Sequence, residues 1–289
     1  MKRTLRLGAA LSCGLLMAVS ANAAEKKVPA KPFADADHVI YMPIKGGIVP
    51  KARVQNLTNH GGPVITSAHV VFIFWGASFG SGGADASYAS TLQAFRNQFG
   101  TAPEFNTITQ YSGSNGTVAL TNLGGGTADL FDSSAPPTNV TDSAVQGEVN
   151  KYLSTHTFDA NAVYEVVIPS SSYSSSGTST SCGGPRLSYC AYHGNFTSSG
   201  HDVRYSIEPY PSCGGCSVSG WTAAQNQEHF VCHETREAVT DPDGTTWWDR
   251  SGNEADDKCA WSPTPFLGTG GYGYQYEWSN ANSACIKTR

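Results

Sequence analysis

Residues His233, Glu234 and Glu237 read His-Glu-x-x-Glu. On a helix His233 and Glu237, four residues apart, project from one face and can share a metal ion. Glu234 lies about 100° round, where a carboxylate can deprotonate a metal-bound water. The familiar zinc signature has histidine in place of Glu237. A third ligand must come from downstream. The spacing H-E-x-x-E-x-x-T-x-x-D points to Asp243, with Asp241 and Glu254 as alternatives and Asp249, Asp256 and Asp257 also within reach. His229 stands one turn before His233, giving a second trio of His229, His233 and Glu237. His193, in Cys190-Ala-Tyr-His193-Gly, is a candidate for supporting the ligands or touching substrate.

With Glu234 as base, such an ion would activate water for attack on a carbonyl that the metal polarises, which is hydrolysis of a peptide or other amide. Each carboxylate that replaces an imidazole adds negative charge and shifts preference toward harder ions. Zinc is therefore one candidate among divalent metals, with manganese, iron and calcium beside it. The only methionines are Met1, Met17 and Met42, so no methionine turn follows the helix. Asp241, Asp243, Asp249 and Glu254 also form an oxygen-rich, turn-rich stretch that would suit calcium, without the full EF-hand spacing. The plain alternative to a metal is an exposed helix face on which Glu234 and Glu237 are solvated.

The elements that must position these residues alternate strand and helix. Val64–Trp75 is rich in β-branched and aromatic residues and reads as a buried central strand, as does AVYEVVIPS. Tyr88, Leu92, Phe95 and Phe99 recur at helical spacing and predict a helix over 84–99. Thr141 or Asp142 caps a second helix with Val145, Val149, Tyr152 and Leu153 on one side. SYCAYHGNF and HDVRYSIEPYP are two further strands, and the third helix carries the His-Glu pair. PEFNTITQYS and TVALTNL read as short strands, and Ser170–Ser181 as a mobile surface loop. Trp247, Trp248, Trp261 and the tyrosines at 272, 274 and 276 are either a carbohydrate-stacking surface or packing for a loop-rich region. The pattern predicts an α+β domain with a mixed sheet and flanking helices.

The chain starts MKRTLR, continues with a short apolar run and reaches Ala21-Asn22-Ala23, the pattern of a secretory signal over 1–23. Residues 24–58 form a polar arm or linker with one extended apolar stretch, and 59–289 is the domain. No other apolar run is long enough to span a bilayer. The net charge is −5, and losing Lys2, Arg3 and Arg6 with a leader that has no acids takes it to −8. That charge argues against nucleic acid and anionic membrane surfaces as partners. An extracellular protein, peptide or cell-wall substrate is the expected partner.

Seven cysteines follow the signal: Cys182, Cys190, Cys213, Cys216, Cys232, Cys259 and Cys285. In an oxidising compartment most should pair, leaving one over, and Cys232, inside the helix, is the expected free thiol. Together, Asn59-His60-Gly61-Gly62-Pro63 before the hydrophobic strand, the Cys182 to His193 segment, Cys213-x-x-Cys216, Thr-Asp-Pro after the third helix and the last two cysteines resemble the Exordium or phosphate-induced protein family. That resemblance implies a secreted or wall-associated protein with the pairs Cys182–Cys190, Cys213–Cys216 and Cys259–Cys285. Plant members have small and aliphatic residues where His233, Glu234 and Glu237 stand, so this chain looks like a bacterial branch with a metal-type helix. Its element order is similar to that of zincin hydrolases, an analogy at the level of fold.

Overall fold

The computed structural model describes residues 39–47, 55–126 and 128–289. The expected signal and most of the arm lie outside the described residues. A six-stranded mixed sheet forms the centre, built from β1 (Ile40–Pro43), β2 (His69–Trp75), β3 (Leu130–Asp132), β4 (Ala162–Ile168), β5 (Tyr189–Ser198) and β6 (His201–Pro209). Their order is β1-β5-β6-β4-β2-β3. The β6-β4, β4-β2 and β2-β3 pairs are parallel, whereas β1-β5 and β5-β6 are antiparallel. The apolar stretch of the arm thus ends as an edge strand of the main sheet.

Three helices cover the sheet: α1 (Ala86–Phe99), α2 (Asp142–Leu153) and α3 (Ala223–Thr240). Along β2 the side chains alternate between two cores. Val70, Phe72 and Phe74 pack with Leu92, Phe95 and Phe99 of α1 and Val231 and Val239 of α3. Val71, Ile73 and Trp75 pack with Val145, Val149 and Tyr152 of α2. The result is three layers, with α1 and α3 on one face and α2 on the other. Thr141 caps α2 by accepting from the Ala144 amide, as its sequence predicts. A capping box of Thr222 and Gln225 opens α3.

Several expectations are corrected. Phe105–Gln110 is a 3-10 helix and not a strand, with Phe105, Thr107 and Ile108 buried. The serine-rich segment is no loose loop. Tyr173–Ser176 and Ser179–Thr180 form a small sheet with Asn139–Thr141, and Ser174, Ser176, Thr180 and Ser181 are buried. Its polarity hid it, because these hydroxyls are satisfied inside: Ser181 Oγ accepts from the Ser174 amide, and Ser174 Oγ bonds Tyr189 Oη at 2.9 Å.

The disulfides are Cys182–Cys213, Cys190–Cys216 and Cys259–Cys285. The implied Cys182–Cys190 and Cys213–Cys216 pairs are therefore wrong. Cys190 lies on β5, and the Gly214–Cys216 turn packs over it, so both bridges run between the two segments and not within them. Cys259–Cys285 agrees, and Cys232 is buried and free. Among the described residues no helix is long and apolar enough to cross a membrane.

The chain after α3 is largely irregular, with paired fragments at Phe266–Leu267 with Gly273–Tyr274 and at Glu277–Ser279 with Ala284–Ile286. Its tryptophans and tyrosines pack inward: Trp248 and Tyr274 are buried, and Trp247, Tyr272 and Tyr276 are half-buried against the α1/α3 core. His-Gly-Gly-Pro anchors the start of this region. Gly62 donates to Thr245 O at 3.0 Å, and a Cβ there would lie 2.0 Å from Thr245 Oγ1, so only glycine allows the approach. His60 stacks on Trp248 with ring centroids 3.5 Å apart.

Candidate metal centre

On the α3 side of the sheet the register sets His193 (β5) beside Ser206 (β6), Ser206 beside Glu165 (β4) and Glu165 beside Phe72 (β2). Alternation along each strand points His193, Glu165 and Glu208 at the helix. The helix meets them with a polar face of its own. His229, His233, Glu234, Thr235, Arg236 and Glu237 are each 0% exposed, which overturns the solvated-helix reading. From the other side the irregular segment supplies Glu254, Asp256, Asp257 and Gln275, all buried.

His233 Nε2 lies 3.2 Å from Glu237 Oε2 and 3.8 Å from Asp257 Oδ1. His193 Nδ1 lies 3.0 Å from Glu234 Oε2, and its Nε2 lies 3.4 Å from Glu254 Oε2. Two groups at this site converge closely enough to hold a metal ion, His233/Glu237/Asp257 and His193/Glu237/Glu254. In each, one donor atom per residue lies within 4.8 Å of the others. His233 and Glu237 thus come together as their spacing predicts, and Glu254 joins them. His193 is closer to the centre than a supporting role requires.

Gln275 fixes the state of His233. Its Nε2 donates to Asp256 O at 2.6 Å and to Asp256 Oδ1 at 3.0 Å, so its Oε1 is an acceptor. That oxygen lies 3.1 Å from His233 Nδ1 and 2.9 Å from His229 Nε2, so both nitrogens carry protons. In neutral His233 the Nε2 lone pair then faces the carboxylates of Glu237 and Asp257, and only a cation, a proton or a metal ion, makes that favourable. His233 Nε2 and Glu234 Oε1 are buried with no hydrogen-bond partner. Burial favours the neutral imidazole, but Glu237 and Glu234 outweigh it and hold the pKa of His233 well above the ordinary value. Glu234 is pushed up, chiefly by burial.

Glu237 is oriented by backbone. Its Oε1 accepts from the amides of Asp256 and Asp257 at 3.1 and 2.9 Å, leaving Oε2 directed at His233. Arg236 turns to the opposite side, where Asp256 and Glu277 flank its guanidinium.

The remaining candidates stand elsewhere. Asp243 pairs with Arg204, Nη2 to Oδ1 at 2.9 Å, and Asp241 Oδ1 accepts from the Thr246 amide at 2.6 Å. Proline at 242 and the turn that follows carry both away from the helix face, and neither belongs to a convergent group among the described residues. Asp249 pairs with buried Lys258 at 3.1 Å, so the acidic stretch proposed for calcium is divided among separate cationic and amide partners. His229 donates to Gln275 and is pushed down to about 3 by burial, which keeps it neutral. Burial pushes the Cys232 thiol up to about 12, making it inert at neutral pH.

Sequence reasoning listed Asp257 only among many acids and missed Gln275. The crowding of acids in Asn-Glu-Ala-Asp-Asp signals the first, but nothing local to Gln275 announces its part. No family model matches the chain, and no match was found among curated proteins or solved structures.

Proposed function

We propose that the protein is a metal-dependent hydrolase of the peptidase or amidase type, with a divalent ion held by His233, Glu237 and Asp257 and with Glu234 as base. The observation that carries the reading is the convergence of His233, Glu237 and Asp257, one donor atom of each lying within 4.8 Å of the others in a buried group. Glu234 uses Oε2 to accept from His193, while Oε1 is buried without a hydrogen-bond partner. A metal bound there would supply an activated water and polarise the scissile carbonyl; Glu234 is the carboxylate placed to take a proton from that water and to return it to the leaving nitrogen. The donor set is mixed nitrogen and oxygen, which suits zinc, manganese or iron better than an all-oxygen calcium site.

Three disulfides suit an oxidising compartment, and with the N-terminal signal pattern they support an extracellular or periplasmic protein. The His-Gly-Gly-Pro motif and the Cys259–Cys285 pair support a relation to a bacterial branch of the Exordium-like family, with a zincin-like ordering of elements around the helix. A second reading, a structural ion in a non-catalytic extracellular binding protein, is favoured by one observation: the group is closed, with His233 and Glu237 at 0% and Asp257 at only 9% exposed.

Metal analysis of the purified protein, followed by a casein and peptide-library assay, tests both. Bound transition metal that is lost in His233→Ala is expected. Glu234→Gln should keep the metal and lose roughly 10²–10⁴-fold in rate. Metal-free protein defeats both readings. Metal with no hydrolysis leaves the structural ion, and an unchanged rate in Glu234→Gln removes Glu234 from the mechanism.

A further inference from the structure

We propose that the centre takes a second divalent ion, held by His193 and Glu254 and joined to the first through Glu237. This rests on the reading that His233 and Asp257 hold an ion, and it adds a metal site on a different element, β5.

The two convergent trios share one residue, Glu237. Its Oε2 lies 3.2 Å from His233 Nε2 and 3.9 Å from the His193 ring at Nδ1, and one donor atom each of His193, Glu237 and Glu254 lie within 4.8 Å of one another. Its Oε1 is held by two backbone amides, so the carboxylate cannot swing to serve one side alone. Glu234 Oε2 lies 3.0 Å from His193 Nδ1 and Glu254 Oε2 lies 3.4 Å from His193 Nε2, so a neutral His193 donating to Glu234 would turn Nε2 toward an ion beside Glu254. That separation matches two donors on one ion: bonds of about 2.0–2.2 Å at tetrahedral to octahedral angles put neighbouring ligands about 3 to 3.5 Å apart. A carboxylate that fixes the far nitrogen of a histidine ligand is a recurrent support for metal-bound imidazole.

Four carboxylates, Glu234, Glu237, Glu254 and Asp257, line this space, and none of them is more than 9% exposed. Glu234 Oε1, wholly buried and without a hydrogen-bond partner, is an independent sign that a cation or a metal-bound water belongs in this space. Two ions bound there would supply one position for the attacking water and another for the substrate carbonyl.

The full-length protein, stripped with chelator and reloaded with Mn²⁺ alone, provides the test. Counting by mass spectrometry should give two equivalents per chain, and low-temperature electron paramagnetic resonance should show a spin-coupled pair. His193→Ala and Glu254→Gln should each fall to one equivalent with an uncoupled six-line signal. The wild-type spectrum decides the matter even if a variant does not fold. One equivalent with an uncoupled signal in the wild type overturns the second ion and leaves the first standing. No bound metal overturns both.

Discussion

Gln275 governs the chemistry of two histidines without touching the proposed ions. Because Asp256 takes both protons of its amide, its oxygen holds the Nδ1 proton of His233 and the Nε2 proton of His229. In Gln275→Leu, which is close in volume, that acceptor is lost, the ring of His233 is free to turn, and a buried N–H loses its partner. Losing such a support behind a metal-bound imidazole should weaken the metal about 10–100-fold, measured by competition with a chromophoric chelator. His229→Phe is the contrasting change. His229 is neutral and donates to the same oxygen from outside both convergent groups, so its loss should leave affinity within a few-fold. A large loss there would restore His229 to the ligand set.

At the scale of elements, the polar centre exists because three strands and one helix turn charged residues toward each other. Glu165 is a single acid in an otherwise apolar strand, wholly buried, with Oε1 accepting from Thr235 of α3 at 2.6 Å. Burial raises its pKa to about 8. A carboxyl whose folded pKa lies above its unfolded value stabilises fully below the unfolded value. That contribution is lost as pH rises from about 4.5 toward 8. Thermal stability should therefore decline across that window in the metal-free protein, and Glu165→Gln should flatten the decline and melt higher than wild type at pH 9. An unchanged pH profile in the variant would show that Glu165 ionises without cost. The helices and long strands were legible in the sequence because burial against a sheet imposes a period, as at Tyr88, Leu92, Phe95 and Phe99. Phe105–Gln110 was not, because its β-branched residues favour strand while its tertiary setting imposes a tight helical turn. His233 and Glu237 were legible as a pair from helical spacing alone. Their partners His193, Asp257 and Gln275 come from sequence-distant segments, and only the sheet register and the path of the irregular chain bring them in.

Considered as a whole molecule, the long irregular segment after α3 supplies Glu254, Asp257 and Gln275 but has few regular pairings to hold it. Beyond its contacts with Arg236 and Glu237 of α3, two restraints hold it. One is Cys259–Cys285, which ties the segment to itself across a sequence separation of 26 and should contribute about 3.5 kcal/mol in the chain-entropy account. The other is the proposed metal, which joins residues 254–257 to α3 and β5. At a free metal concentration a hundred times the dissociation constant, one ion adds about 2.7 kcal/mol. For a chain of this size that corresponds to a fall in melting temperature of about 5–10 °C on chelation. Lys258 is buried against Asp249 within the same segment, so loosening it uncovers a tryptic site that the folded chain hides. Chelator should therefore open cleavage after Lys258 while α1 and α2 stay protected, and the double variant Cys259→Ser/Cys285→Ser should make that cleavage faster still. Protection at Lys258 that is indifferent to chelator would mean that the segment is held by packing alone and that no ion ties it to the helix.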